Sequence, residues 1–162
     1  SWYAFPTYKS RHFISAGYQG TLGYGFATSL GVQAANPGKK VISISGDGGF
    51  LFNLQEMSTA VQYQLNVVAI VFNDGKYANV QRQQKEWFEG HIIASDLHNP
   101  DFVKLAESFG MFSTRVHSPI ELKGVLRTAL KSDQPALIEV KLDKDFPTPW
   151  PFILSSHTRE SK

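Results

Sequence analysis

Apolar positions along the chain follow two periods. Val41-Ile42-Ser43-Ile44 and Val67-Val68-Ala69-Ile70-Val71 are short β-branched runs. Runs of this kind read as strands buried within a parallel sheet. Residues 112–116 and 136–141 read as two further strands, and Phe13-Ile14-Ser15-Ala16 as a short one. Helical patterns alternate with them. Residues 21–35 are apolar, rich in small side chains, and stop at Asn36-Pro37-Gly38, which predicts a helix and its end. Leu54, Met57, Ala60 and Val61 recur at helical spacing in a helix predicted over 53–63, and their place is on the sheet. Further helices are predicted over 77–84, 99–110 and 119–131. Asn99 is the expected N-cap of the middle one, with Pro100 in its first turn and Asp101 suited to its dipole. Strands alternating with helices give an α/β fold: a three-layer α/β/α sandwich on a mostly parallel sheet, with Rossmann-like topology.

The chemistry gathers at two strand ends. The first run leads into Ser45-Gly46-Asp47-Gly48-Gly49-Phe50, the second into Phe72-Asn73-Asp74-Gly75-Lys76-Tyr77. Ligands of open α/β sheets bind at this carboxyl edge. Glycines on either side of Asp47 let backbone amides approach a ligand closely. The amino end of the helix over 53–63 is expected to point its N–H groups at the same spot, which suits phosphate. Asp47 itself repels phosphate, and a Mg²⁺ ion between the two removes the conflict. The second cluster then adds oxygen ligands from the neighbouring strand end. A lone Gly-Asp-Gly is more often a plain turn, so it is the pairing of two polar clusters after two buried strands that carries the reading.

Composition narrows the classes. The chain has 162 residues, 42% of them hydrophobic, with a formal net charge of +2. That suffices for one domain with a substantial core. The charge is too small and dispersed for nucleic acid. No apolar segment approaches the ~20 residues that span a bilayer, and no signal peptide opens the chain. Cysteine is absent, which excludes disulfides and thiolate metal sites. A cytoplasmic protein is the default expectation. His12, His91, His98, His117 and His157 show no ligand spacing, and Glu56 reads as a solvated or interface residue.

The two clusters resemble the carboxyl-terminal cofactor domain of thiamine-diphosphate-dependent enzymes, in the branch of acetohydroxyacid synthase, pyruvate decarboxylase and benzoylformate decarboxylase. That family carries Gly-Asp-Gly, about two dozen residues, then Asn-Asn. Here 24 residues separate Gly48 from Asn73 and 25 separate it from Asp74. The family's second Asn, a metal ligand, stands three before a frequent Tyr. Tyr77 matches that Tyr and assigns the position to Asp74, a departure from Asn-Asn that keeps a hard oxygen donor. The resemblance then implies Asp47, Asp74 and the Lys76 carbonyl as ligands of Mg²⁺. A register shifted by one makes Asn73 the ligand and Gly75 the carbonyl donor. Thiamine diphosphate itself is expected to meet Gly20, Leu22, Gly46, Asp47, Gly48, Gly49, Phe50, Asn73, Asp74, Lys76, Tyr77 and Ala78. The Gly20 carbonyl would accept from the aminopyrimidine, and Leu22 would stand where the family has a Met wedge. Asn79 either contacts a 2-oxo acid substrate or caps and faces solvent. Residues 81–91 resemble a segment that orders around cofactor or partner.

The resemblance also implies what lies elsewhere. Residues 1–12 are a truncated lead-in, 13–145 the diphosphate and Mg²⁺ binding domain, and 146–162 an extended tail packed on a neighbouring surface. The pyrimidine-binding domain, with the activating glutamate, would come from the same polypeptide or a separate subunit. No catalytic residue is therefore assigned to this chain, and a homo-oligomer is expected. The implied activity is cleavage or formation of carbon–carbon bonds on 2-oxo acids. Two other readings compete: a non-catalytic cofactor-binding or assembly module, and a dinucleotide-binding domain. The latter is disfavoured because no Gly-x-Gly-x-x-Gly follows a strand.

Overall fold

The protein, described by a computed structural model, is defined over residues 5–143. The first four residues of the lead-in, the tail over 146–162, His157 and the domain boundary at 145 lie outside the described residues. Four parallel strands, β1 (Ile42–Gly46), β2 (Val68–Asn73), β3 (Phe112–Val116) and β4 (Ala136–Lys141), form one sheet in the order β1-β2-β4-β3. Ser45 pairs with Val71, Val71 with Glu139, and Glu139 with Arg115, so one row crosses the whole sheet near its carboxyl edge.

Six α-helices accompany it among the described residues: α1 (Tyr24–Ala35), α2 (Asp47–Phe50), α3 (Met57–Gln62), α4 (Ala78–Trp87), α5 (Phe102–Ser108) and α6 (Pro119–Ala129). Residue parity in the central strands assigns the two cores. Val67, Ala69 and Val71 face one side with Leu137, and there they meet Phe26 and Leu30 of α1, Phe50 of α2, Met57 and Ala60 of α3 and Phe102 of α5. Val68 and Ile70 face the other side with Val116, Ile138 and Val140, against Ala129, Leu122, Val125 and Leu126 of α6. Side chains of a strand alternate between faces, so an unbroken apolar run is what two covered faces require. The three-layer α/β/α sandwich expected from sequence is the one observed. Because α6 sits on β3 and β4, Ile42 and Ile44 of the edge strand β1 stay exposed.

Three elements differ from expectation. Residues 13–16 form no strand; Gly17 and Gly20, at φ +60° and +56°, bracket a 3₁₀ turn over Gly17–Gln19. Left-handed φ values bend the chain out of any strand direction. The helix predicted over 53–63 is broken. A helical turn begins already at Asp47, and a 3₁₀ turn over Leu54–Glu56 precedes α3. The Asn53 amide interrupts the run by donating 2.8 Å to the Gly23 carbonyl, which ties this bend to the entry of α1. The N–H groups nearest Asp47 are accordingly those of its own turn, not of a helix starting at Asn53. Finally, α5 starts at Phe102 and is capped by Asp101, whose carboxylate accepts from the Lys104 N–H at 3.3 Å. Asn99 is not the cap, because its side chain is engaged elsewhere. By contrast, α6 begins as read, with Ser118 accepting from the Glu121 N–H and Pro119 in the first turn.

Candidate functional site

Parallel pairing of β1 with β2 puts Asp47 beside residues 73–75. Asp47 is 2% exposed and is held at both oxygens. Its Oδ1 accepts from the Gly48 N–H at 2.8 Å, and its Oδ2 from the Gly75 N–H at 2.9 Å and the Asn99 amide at 2.6 Å. The two clusters are thus joined through one carboxylate. Tyr77 adds a second join: a Cβ placed on Gly48 would lie 2.5 Å from its ring. A glycine is required there by packing alone.

From Asn99 a chain of polar side chains runs inward. The Asn99 amide also donates to Asn73 Oδ1 at 2.9 Å, and the Asn73 amide donates to Glu139 Oε1 at 2.7 Å. Arg115 Nε donates to Glu139 Oε2 at 2.7 Å, and its Nη2 to Asp101 at 2.9 Å. Asn73 and Glu139 are 3% and 1% exposed. Buried charge is tolerated only where it is paired and hydrogen-bonded, and the guanidinium fork of Arg115 supplies this from the next strand.

Asp74 follows Asn73 and stays half-buried. Burial raises its carboxyl above the ordinary value, and the nearby charge of Asp47 raises it further, while the Lys76 backbone N–H pulls the other way. The turn is pinned from outside by residues 95–97. Tyr77 N–H donates to the Ser95 carbonyl and Leu97 N–H to the Gly75 carbonyl, both at 2.8 Å, which makes an antiparallel backbone bridge between residues 76 and 96. Ala78 opens α4, which is tied to this segment by Gln81, donating to Asp96, and by Gln84, accepting from the Ser95 hydroxyl. Asn79 is exposed and accepts from Arg82 at 3.2 Å.

The remaining candidates divide between open and closed positions. Gly46 has extended backbone, φ −76° and ψ 161°, and a Cβ on it would meet no atom within 4 Å. Neither conformation nor packing among the described residues demands glycine there, so the open space suits a ligand pressed against the backbone. Leu22 is 46% exposed and lies beside Gly49, 3.8 Å from where a Cβ on that glycine would sit. Gly20 is exposed in the turn before α1. The Phe50 ring is buried, 5.1 Å from Phe26 and 5.8 Å from Phe102. It anchors the turn from beneath and leaves only its backbone to a ligand.

The donor set fits a hard divalent cation. Burial and the Asp47 charge both oppose ionisation of Asp74, and a cation held by the two carboxylates would relieve that cost. Asn99 Oδ1 is a buried acceptor without a partner among the described residues, in the cleft that Asp74, Arg115 and Glu139 also line. Among the described residues no cluster of three or more His, Asp or Glu side chains has a metal-holding arrangement, so main-chain oxygen would have to complete any coordination. No described helix is long and apolar enough to cross a membrane.

Sequence reasoning missed Asn99, Glu139 and Arg115. Two signals were available. Asn99 and Asp101 are rival caps around one proline, and only one is needed. Glu139 is an acidic residue in an otherwise apolar central strand, where it must find a partner.

The chain is 44% identical over 130 residues to an acetolactate synthase of Bacillus subtilis, covering 80% of this chain and 22% of that protein. It is 40% identical over 142 residues to a probable acetolactate synthase large subunit of Methanocaldococcus jannaschii, covering 86% and 24%. The chain therefore spans about a quarter of the length of such curated relatives. Among solved structures it resembles a thiamine diphosphate-dependent 4-hydroxybenzoylformate decarboxylase of Rhodococcus jostii, with a TM-score of 0.73 and 34% identity over 78% of this chain and 24% of that one. Residues 1–140 match the family described as thiamine pyrophosphate enzyme, C-terminal TPP binding domain. With Asp47 and the 73–77 turn meeting at the sheet edge and that match spanning most of its length, the chain belongs to the C-terminal TPP-binding domain family of thiamine pyrophosphate enzymes.

Proposed function

We propose that this domain anchors thiamine diphosphate through a Mg²⁺ ion held by Asp47, Asp74 and the main-chain carbonyl of Lys76, within an enzyme that breaks or makes carbon–carbon bonds on 2-oxo acids. The observation that carries the reading is the joining of the two acidic turns, with Gly75 N–H, next to Asp74, donating to Asp47 Oδ2 at 2.9 Å, beside Gly46, whose space no atom of the described residues fills. The alternative register is less well supported. The Gly75 carbonyl already accepts from Leu97 N–H, and the Asn73 amide is engaged by Glu139 and Asn99 at both ends.

When bound, the cofactor supplies a nucleophilic carbon and an electron sink. This chain's part is to bind and orient. Gly46 and Gly49 let the diphosphate approach the backbone, and the half-exposed Leu22 offers an apolar support beside them. Tyr77, locked against Gly48, fixes the distance between the two metal-bearing turns. Ala78 and Asn79 begin the helix beyond that turn, where Asn79 can reach a carboxylate substrate. The proton-transferring groups belong to a pyrimidine-binding domain, in the same polypeptide or a separate subunit, and the assembled enzyme is a homo-oligomer acting in the cytoplasm.

Calorimetric titration of thiamine diphosphate, with Mg²⁺ and with a chelator, tests the anchor. Binding should require metal, vanish in Asp47→Ala and weaken in Asp74→Ala. Loss of binding in Asn73→Ala with Asp74→Ala unaffected would move the site by one residue. If the chain alone is silent, adding the pyrimidine-binding half should restore binding; continued silence would rule the anchor out.

A further inference from the structure

The Asp47 carboxylate is not symmetric. Its Oδ2 accepts two donors, the Gly75 N–H and the Asn99 amide, whereas its Oδ1 accepts the Gly48 N–H. An ionised carboxylate oxygen offers about two lone-pair sites. Oδ2 is therefore filled, and Oδ1 keeps the capacity to bind a cation.

The orientation of Asn99 is itself determined. A side-chain amide has two N–H donors and one carbonyl, and both Asn99 N–H groups face acceptors, Asp47 Oδ2 at 2.6 Å and Asn73 Oδ1 at 2.9 Å. Rotated by half a turn, Asn99 would set its carbonyl against the Asp47 carboxylate. Asn73 prevents this, because its own carbonyl must point outwards while its amide faces the buried Glu139 anion. Glu139 cannot yield that role, since Arg115 fixes its second oxygen from the adjacent strand. The direction of every bond from Arg115 to Asp47 is thus set by one ion pair whose carboxylate is buried.

We infer that Asn99 is a positioning residue for the metal ligand Asp47. It holds Oδ2 so that Oδ1 is presented to the cation, and its amide is kept the right way round by Glu139 through Asn73. This rests on the cation anchor proposed above. Residues that orient a metal ligand from behind are typically worth roughly 10–100-fold in metal affinity, and a charge-assisted bond of 2.6 Å is of the stronger kind.

The test is the Mg²⁺ concentration giving half-maximal binding of thiamine diphosphate to the full chain, with the pyrimidine-binding half added if the chain alone needs it. Thermal midpoints in chelator are read alongside. Asn99→Ala should raise the Mg²⁺ midpoint roughly 10-fold or more, with full cofactor stoichiometry recovered at excess Mg²⁺. Asn99→Asp, equal in size, should raise it further, since it sets a carboxylate against Asp47. A purely structural Asn99 would lower both thermal midpoints and leave both Mg²⁺ midpoints at the wild-type value, which overturns the inference while the anchor stands. Wild-type protein without metal-dependent binding would remove the anchor and the inference together. Should Asn99→Ala fail to fold, the isosteric Asn99→Asp decides the matter by the same midpoint.

Discussion

Gly48 lies directly under the Tyr77 ring: a Cβ added to Gly48 would come within 2.5 Å of Tyr77 Cε1 and 2.6 Å of Cδ1. One residue belongs to the turn after β1, the other to the turn after β2. Gly48→Ala must displace either the ring or the backbone that carries Asp47, and overpacking of this kind typically costs about 1–3 kcal/mol. Chemical denaturation should show that loss. The double variant Gly48→Ala/Tyr77→Ala should recover part of it, because the clash is with that ring. Independent, additive losses would refute the pairing.

Gly46, two residues earlier, predicts the opposite pattern. Its backbone is extended and its missing side chain faces open space. Gly46→Ala should leave stability unchanged or raise it by about 0.4–1 kcal/mol, through the less flexible unfolded chain. Affinity for thiamine diphosphate should nevertheless fall at least severalfold if the diphosphate needs the space. A variant that is both stable and fully competent to bind would place the ligand elsewhere.

Asp74 makes the metal-free protein sensitive to pH. Burial first, and the Asp47 charge second, lift its carboxyl above the ordinary value. A raised folded-state value means that the protonated form stabilises the fold. This stabilisation is complete below the unfolded value and is lost as pH rises through the folded one. Asp74→Asn removes the charge altogether. In chelator, its thermal midpoint should exceed wild type at neutral pH, and the gap should close on acidification. A gap independent of pH would mean that neither burial nor the Asp47 charge raises the Asp74 carboxyl.

How much of this was legible beforehand depended on whether a residue's role was local. The strands could be read because β2 and β4 are covered on both faces, which forces apolar runs at consecutive positions. The turn at Asp47 could be read because its glycines serve a local geometry. Asn99 could not, since its partners Asp47 and Asn73 are 52 and 26 residues away, and a local role as a cap was equally plausible. Phe13-Ile14-Ser15-Ala16 failed for a related reason: an apolar run has no strand without a neighbour, and the glycines after it turn the chain aside. Glu139 was visible as an anomaly, but its partner Arg115 is fixed only by the register of β3 against β4.

That ion pair is unequal in its exposure, and the inequality has consequences. Arg115 is 37% exposed whereas Glu139 is buried. If Glu139 is replaced by Gln, Arg115 keeps Asp101 and water as partners. If Arg115 is replaced by Ala, a buried carboxylate loses its counter-charge. Stranding a buried charge costs about 3–5 kcal/mol, so Arg115→Ala should approach that range in denaturant unfolding and Glu139→Gln should cost clearly less. The reverse order would show that Glu139 is solvated in the folded protein.

Asp101 and Asn99 offer the cleanest separation of cap from site, being two residues apart. Asp101 accepts from the Lys104 N–H at the start of α5 and also meets Arg115. The Lys104 N–H is the main cause, and the Arg115 charge a lesser one, holding its carboxyl below the ordinary value. A depressed folded-state value gives stability that is present above the unfolded value and is lost as pH falls through the folded one. Asp101→Asn should therefore flatten the acid limb of the stability profile, keep most of the cap and leave the Mg²⁺ midpoint for cofactor binding unmoved. Asn99→Ala should do the converse, shifting that midpoint while α5 keeps its protection against amide hydrogen exchange. Exchange rates that rise throughout α5 in Asn99→Ala would return Asn99 to the role of a cap and separate it from Asp47.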